Sequence, residues 1–207
     1  MSASTPTSSP EDGSEPDAGS RTAVAQAGWA VPERPWPPEQ ETRLTIRTHS
    51  IGSQGLEASV EGLGTMGMTA MYGTRDDAGS VETIQRAIDL GVTLFDTADM
   101  YGPFTGEELL GRAVAPYRDR VLLATKFGGL TLDESGKVIG GPNGRPEYLR
   151  RAVEGSLRRL GTDRVDLYYQ HRVDPHVPVT ETFGALGELV AEGKVRYLGI
   201  SPTPLPV

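Results

Sequence analysis

Short apolar runs alternate with amphipathic helical segments along most of the chain, and this alternation restricts the fold more than any other feature. The runs are continuously apolar, as expected for parallel strands covered on both faces. Such repeated β-α units predict an α/β fold, either a doubly wound parallel sheet or a (β/α)8 barrel. Five strands are predicted, at 60–64, 92–96, 121–127, 165–171 and 195–201.

Four helical segments separate these strands, and their ends carry recognisable signals. Gly91 and Gly161 stand where C-terminal caps belong, and Pro146 lies near the first turn of its helix. Thr105 and Glu108 have the spacing of a capping box. The apolar residues predicted to face inward are Val81, Ile84 and Ile88 in the first helix, Leu149, Val153, Leu157 and Leu160 in the third, and Phe183, Leu186 and Val190 in the fourth.

A glycine run after the first strand, "GLGTMG" at 62–67, has the G-x-G-x-x-G pattern of dinucleotide-binding folds. In those folds the third glycine already belongs to a helix, and an acid closes the second strand about 20 residues later. Here non-helical residues follow Gly67, and the acid that closes the second strand, Asp96, lies well beyond that distance. The spacing therefore indicates a flexible βα loop, where backbone approaches a ligand, rather than a phosphate fingerprint.

The two ends of the chain differ in composition from the part between them. Residues 1–42 are rich in proline, serine, glycine and acids, so we predict a disordered tail followed by one folded domain at 43–207. That domain begins with two short strands around a turn at Ser53-Gln54-Gly55. After Ser201 the chain reads "PTPLPV", which has no helical pattern.

Composition excludes several classes of function. The formal net charge of −8 argues against a protein that binds the nucleic-acid backbone. Without cysteine there are no disulfides, thiolate metal sites or cysteine nucleophiles, and we expect no metal site. No apolar run approaches the roughly 20 residues that span a bilayer, and no signal-peptide pattern precedes the domain. We therefore expect a cytoplasmic protein that binds neither nucleic acid nor membrane.

A polar residue lies at the end of each of three successive strands of the predicted sheet. Asp96 ends the second strand, with Tyr101 in the loop beyond it; Lys126 ends the third strand and His171 the fourth. In a parallel barrel these ends face one mouth, so the four side chains can converge. A neighbouring ammonium favours the phenolate form of a tyrosine, and an aspartate keeps a buried lysine charged. This set suits protonation of a carbonyl oxygen while a hydride arrives from elsewhere.

A series of motifs resembles the aldo-keto reductase family in order and spacing. They are "GLGTMGM", "GVTLFDTADMYG", "GEELLGRAV", "VLLATKFG", "NGRPEYLRRAVEGSLRRLGTDRVDLYYQHRVDP" and "ELVAEGKVRYLGIS", within about 44–201. The resemblance implies a (β/α)8 barrel, with an N-terminal hairpin that closes its bottom. It implies Tyr101 as the general acid, Lys126 as the group that lowers its pKa, and Asp96 as the partner of Lys126. It implies His171 as the residue that orients the carbonyl or assists proton transfer.

The resemblance also implies a cofactor and a substrate class. The cofactor is NADPH, with Gly64, Thr65, Met66 and Asp96 lining its cleft and Ser201 contacting the nicotinamide carboxamide. The substrate is a small-molecule aldehyde or ketone.

The chain departs from the family after Ser201, where the family's sixth to eighth strands would follow. We therefore expect an incomplete TIM-type (β/α)8 barrel of about five βα units, from a C-terminally truncated member. Five strands leave two open sheet edges, through which the chain could associate with itself. Two alternatives stay open: an inactive truncated fragment, or a non-catalytic binding or regulatory protein of the same fold.

Overall fold

The structure, a computed structural model, describes residues 46–69 and 72–201. The tail predicted at 1–42 and the segment after Ser201 lie outside the described residues. The strands are β1 (Thr48–Ile51), β2 (Leu56–Ser59), β3 (Gly62–Gly64), β4 (Leu94–Asp96), β5 (Leu122–Phe127), β6 (Thr131–Leu132), β7 (Val138–Gly140), β8 (Val165–Gln170) and β9 (Val195–Ile200). The helices are α1 (Asp77–Asp89), α2 (Thr105–Val114), α3 (Pro146–Leu160) and α4 (Val179–Ala191).

Five of the strands form one parallel sheet in the order β3-β4-β5-β8-β9. Each is followed in the chain by a helix that leads to its neighbour, up to β9. The order never reverses, whereas a doubly wound sheet reverses at a switch point. The described part is thus five βα-type strands of a (β/α)8 barrel with an N-terminal hairpin, β1–β2, as expected.

Helices cover one side of this sheet, which we call the helix face. Phe95, Leu123, Phe127 and Tyr168 project from the strands into this layer and are all buried. The predicted apolar stripe of α3 supplies Leu149, Val153, Leu157 and Leu160 from the other side. The main hydrophobic core therefore lies between the sheet and its helices.

The opposite side of the sheet, which we call the hairpin face, is smaller and is covered by the β1–β2 hairpin. Leu56 of β2 packs with Ala124 and Leu167 of the sheet, and Ile51 lies beside them. The partly buried sheet residues on this face are Leu94, Leu122, Tyr169 and Tyr197. Because side chains alternate between faces, Asp96, Lys126 and His171 continue this same face toward the carboxyl ends of their strands.

Several local predictions are confirmed and others are wrong. Gly91 and Gly161 end their helices with positive φ, and Pro146 opens α3. Thr105 does not form a capping box: Phe104 is the N-cap residue of α2, and the Thr105 hydroxyl donates to the Gly102 carbonyl instead. The prediction that the glycine run is not a phosphate fingerprint is confirmed, since its last glycine lies in a 3-10 turn at Met66–Met68 and not in an α-helix.

Two further differences concern α4 and the loop after β5. Val190 was expected to face inward but is exposed, and Leu189 is buried in its place, because the inward stripe of α4 runs through Ala185 and Leu186. A small antiparallel hairpin, β6–β7, occupies the loop between β5 and α3, where no strand was predicted. Within residues 46–69 and 72–201, no helix has the length and apolar character needed to cross a membrane.

Candidate active site

The four residues singled out from the strand ends lie together at the carboxyl edge of the sheet. Asp96 is the last residue of β4, Lys126 the next-to-last of β5, and His171 directly follows β8. Tyr101 lies in the loop between β4 and α2, where its N–H donates to the Ala98 carbonyl at 3.1 Å. The parallel register places these ends side by side, so residues far apart in sequence share one site.

Lys126 is the centre of this arrangement. Its Nζ donates to the Asp96 carboxylate, to the Thr97 carbonyl at 2.9 Å and to the Tyr101 hydroxyl at 3.5 Å. An ammonium has three hydrogens, so all of its donors are engaged. Burial raises the pKa of the Asp96 carboxyl, and the attraction of the Lys126 ammonium partly offsets that rise. The lysine is nearly buried, with 9% of its surface exposed.

Tyr101 lies between the lysine and the histidine. Its ring centroid is 5.1 Å from Lys126 Nζ, and its ring meets the His171 ring edge-on, with centroids 5.9 Å apart and an interplanar angle of 86°. Only 8% of the residue is exposed. The phenol oxygen therefore accepts a hydrogen bond from a cation while the ring contacts an imidazole.

His171 is held as a neutral imidazole at ordinary pH. Burial lowers the pKa of its ring to about 4, and the positive charges of Lys126 and Arg172 add to the effect. Its Nδ1 is buried and has no hydrogen-bond partner among the described residues. A neutral imidazole has one donor and one acceptor nitrogen, so it can donate to an uncharged carbonyl oxygen without becoming an acid itself.

Room for this histidine comes from a glycine that sequence reasoning missed. A Cβ at Gly129 would lie 2.9 Å from His171 Nδ1 and 2.9 Å from Met100 Sδ. Any larger residue would force the imidazole or the Met100 sulfur to move. The signal was present in the "KFGG" segment, where two glycines directly follow the strand that carries Lys126.

The residues predicted to line a cofactor cleft flank the other four. Gly64 ends β3 beside Asp96, and nothing lies within 4 Å of where its Cβ would be. Thr65 is buried, with its N–H donating to the Asp96 carbonyl at 2.9 Å, and Met66 opens the 3-10 turn. Ser201 follows β9, where its N–H donates to the Gln170 carbonyl at 2.9 Å. Since β3 and β9 are at opposite ends of the strand order, these residues lie on either side of the site.

Beneath the site, Tyr169 and Gly199 form a close contact across β8 and β9. They are register partners, and a Cβ at Gly199 would overlap the Tyr169 ring. Tyr169 is also the register partner of Lys126, so it forms part of the site's floor. Burial and the Asp96 carboxylate raise the pKa of the Tyr169 phenol, which keeps it protonated.

Two surface depressions lie away from these residues. One, of about 510 Å³, lies between the turn of the β1–β2 hairpin and β9, near Gln54 and Tyr197. The other, of about 660 Å³, lies between the β6–β7 hairpin and α3, near Leu132 and Arg158. Neither is bordered by Tyr101, Lys126 or His171. The polar cluster is thus distinguished by its chemistry and its position in the fold, not by the depth of a cavity.

The arrangement is one that can protonate an oxygen. A phenol donates the proton, an adjacent ammonium stabilises the phenoxide that remains, and a neutral imidazole beside the phenol can hold the accepting oxygen. Within residues 46–69 and 72–201, no group of histidine and acidic side chains is placed to hold a metal ion.

Comparison with known proteins gives a consistent result. The family model described as "Aldo/keto reductase family" matches residues 62–206. An aldo-keto reductase from Bacillus halodurans, solved in its holo form, is 36% identical with a TM-score of 0.67, and the alignment covers 75% of this chain and 50% of that one. A glycerol dehydrogenase from Gluconobacter oxydans is 35% identical with a TM-score of 0.64, covering 79% of this chain and 50% of that one.

A third solved structure, a thermostable aldo-keto reductase in complex with the inhibitor epalrestat, is 34% identical with a TM-score of 0.65. The alignment covers 76% of this chain and 54% of that one. The chain therefore spans about half the length of the solved structures that it matches.

Proposed function

The chain belongs to the aldo/keto reductase family, and from that membership we propose that it reduces an aldehyde or ketone with NADPH, using Tyr101 as the general acid. The observation that carries this proposal is the contact between the Tyr101 hydroxyl and Lys126 Nζ, 3.5 Å apart, at the carboxyl edge of the sheet. Catalytic groups of barrels of this type lie at that edge.

Tyr101 and Lys126 have different roles in the proton transfer: Tyr101 donates the proton and Lys126 stabilises the phenoxide that remains. The phenol gives its proton to the carbonyl oxygen as that oxygen gains negative charge, so no free alkoxide has to form. The ammonium then lies beside the phenoxide, and Asp96 and the Thr97 carbonyl hold the ammonium in place. Because the lysine is nearly buried, its charge is little screened by water, which strengthens its effect on the phenoxide.

His171 orients the substrate in this proposal. With a pKa of about 4, its ring is neutral at working pH and offers one N–H. Its ring meets the Tyr101 ring edge-on, with centroids 5.9 Å apart, so the imidazole and the phenol border the same space. A carbonyl oxygen that accepts from both groups is aligned for protonation, and a neutral donor does not attract competing anions.

The cofactor residues fit one end of a nicotinamide nucleotide. Open space above Gly64 leaves a place for a planar group beside Asp96, and Ser201 stands at the other side of the site with part of its surface exposed. When bound, the reduced nicotinamide supplies the hydride. Gly64, Met66 and Ser201 would border it, and Thr65 would hold the Gly64 end of the loop against the Asp96 backbone. NADPH rather than NADH, a small carbonyl substrate and a cytoplasmic location are parts of the same proposal.

The test measures NADPH oxidation by the purified 207-residue chain with an aromatic aldehyde. We expect turnover by the wild type and a loss of about 10²- to 10⁴-fold in kcat for Tyr101→Phe, the usual range for a general acid. Tyr117→Phe is the matched control, because this substitution also removes a tyrosine hydroxyl, but in the 3-10 segment after α2, far from the site.

Equal losses in Tyr101→Phe and Tyr117→Phe would contradict the role given to Tyr101. Folded wild type that binds NADPH but shows no turnover would reject the catalytic proposal and favour a non-catalytic protein of this fold. NADPH binding is followed separately, by the change in nicotinamide fluorescence, so the two failures are distinguishable.

Self-association through the sheet edges stands as a separate proposal. Among the described residues, β3 and β9 each pair with one strand only, and outer strands offer backbone groups to another chain. We expect sedimentation velocity to show a species larger than the monomer. A monomer at all protein concentrations would contradict it.

A further inference from the structure

The proposed acid and the lysine that assists it are carried by different elements, and their contact is at the limit of a hydrogen bond. Lys126 belongs to β5 and is fixed by Asp96 and Thr97, whereas Tyr101 lies in a loop. The donor-acceptor distance between them is 3.5 Å, so a small displacement of the loop would break the contact. Some part of the fold must therefore hold this loop against β5.

The first turn of α2 fixes the position of Tyr101. The Gly106 N–H donates to the Tyr101 carbonyl at 3.0 Å. A Cβ at Gly106 would lie 3.1 Å from the Tyr101 Cβ, so the two backbones are in close contact. Tyr101 therefore follows any movement of this helix turn.

Glu107, the next residue, ties the same turn to β5 and α3. Its Oε1 accepts from the Thr125 hydroxyl at 2.7 Å, and its Oε2 accepts from Arg159 Nε at 2.7 Å. Thr125 directly precedes Lys126, and its side chain lies on the helix face while that of Lys126 lies on the hairpin face. The bond to Thr125 thus reaches the strand one residue from the ammonium.

Burying the carboxylate of Glu107 at this position costs free energy of folding. Glu107 has no exposed surface, and the nearby acid Asp99 is buried as well. A residue needed only for packing would be apolar here, since well-packed apolar groups usually stabilise a core at least as well as a buried ion pair. What an apolar residue cannot supply is a directed bond to Thr125.

We infer that Glu107 is a positioning residue, which sets the distance between the Tyr101 hydroxyl and the Lys126 ammonium through its bond to Thr125. The inference rests on the proposed function, because the distance matters for catalysis only if Tyr101 is the acid. The effect of the bond on the position of Tyr101 can be tested without measuring turnover.

The central variant is Thr125→Val, which keeps the shape of the side chain and removes the hydroxyl that Glu107 accepts from. Thr125→Ser restores the hydroxyl and is the rescue. We expect Thr125→Val to lose about 10- to 100-fold in kcat with KM changed less than about twofold, because misplaced catalytic groups cost rate rather than binding. Thr125→Ser should recover most of the rate.

A second pair of variants addresses Glu107 directly. Glu107→Leu removes both of its hydrogen bonds and should lose more kcat than Thr125→Val, if it folds. Glu108→Leu is the matched control, because Glu108 is the adjacent acid on α2 and is exposed. It should keep the wild-type rate.

A spectroscopic arm reports on the site without turnover. The chain has three histidines, so the His171 ring resonance can be assigned with His171→Gln. Since the Tyr101 ring lies edge-on to His171, ring currents make that resonance sensitive to the position of Tyr101. We expect it to move toward its Tyr101→Ala position in Thr125→Val, and to stay at the wild-type position in Thr125→Ser and Glu108→Leu.

The outcomes separate this inference from the proposed function. An unmoved His171 resonance in a folded Thr125→Val chain overturns the positioning role, whatever the turnover. A moved resonance with no turnover even in the wild type supports the positioning role and rejects the reductase. A lower melting temperature in Thr125→Val with unchanged kcat and an unmoved resonance identifies Glu107 as a structural residue only.

Discussion

The two faces of the five-stranded sheet contribute differently to the molecule. On the helix face, 20 buried residues form one continuous core, whereas the core cluster on the hairpin face contains three. The charged and polar groups of the site extend the second face, where Asp96, Lys126 and Tyr101 meet. The difference shows that one side of a sheet can supply most of the hydrophobic stabilisation while the other carries the polar groups of the candidate site.

A matched pair of core truncations should separate the two faces most clearly. Leu149→Ala on the helix face should reduce the free energy of unfolding by about 2–5 kcal/mol, because Leu149 is fully buried and its removal leaves a cavity. Leu122→Ala on the hairpin face should cost about half as much or less, since Leu122 is only partly buried. Urea unfolding measures both, and equal losses would contradict the division between the faces.

Replacing Asp99, a buried acid near the site, should give the next largest effect on the free energy of unfolding, and this change should be stabilising. Burial, followed by the charge of Glu107, raises the pKa of Asp99 to about 8. The folded chain then holds a proton that the unfolded chain releases above about pH 4, so wild-type stability falls as the pH rises from 4 to 8.

Asp99→Asn removes that dependence. We expect the variant to be more stable than the wild type at pH 8, on the order of a few kcal/mol, with the difference shrinking toward pH 4. Unfolding curves at several pH values give the result. Parallel curves for the two proteins would mean that Asp99 ionises normally in the fold.

His171 on the hairpin face gives a smaller effect with the reverse pH dependence. Its pKa is lowered to about 4 from 6.5, so the unfolded chain binds a proton in this range that the folded chain does not. Wild-type stability should therefore fall as the pH drops from 6.5 to 4, relative to His171→Gln. Thermal unfolding across this range tests it, and identical slopes for the two chains would contradict a neutral His171.

The smallest effect belongs to the outer surface of the helix layer. Arg150 of α3 forms ion pairs with Glu188 and Glu192, and its side chain is 41% exposed. Arg150→Ala should change the free energy of unfolding by less than about 1 kcal/mol, and high salt should reduce the difference. A loss as large as that of Leu149→Ala would show that the helix face depends on charge as well as on packing.

The sequence was most informative where a pattern repeats. The apolar runs predicted all five parallel strands, and the stripe from Leu149 to Leu160 predicted the buried side of α3, because burial imposes a regular spacing. That Asp96, Lys126 and His171 lie at one edge was predicted for a related reason: in a parallel sheet, strand ends meet at one edge.

What the sequence did not predict depends on contacts between distant residues. Glu107 and Glu108 are adjacent acids in one helix, yet the first is fully buried and the second is exposed, because Thr125 and Arg159 meet only the first. The β6–β7 strands are too short for any alternation to be read. The sequence around Phe104 does not indicate its positive φ. In the fold, the Arg159 guanidinium packs on the Phe104 ring.

The contact between Gly199 and Tyr169 has a consequence for how the sheet assembles. Hydrogen bonds between parallel strands are evenly spaced, so they distinguish poorly between one register and another. A shift of two residues would bring Tyr197 or Ser201 against the Tyr169 ring, where even a single Cβ overlaps it. Gly199 therefore favours the observed register, since either shifted register would require the Tyr169 ring to move.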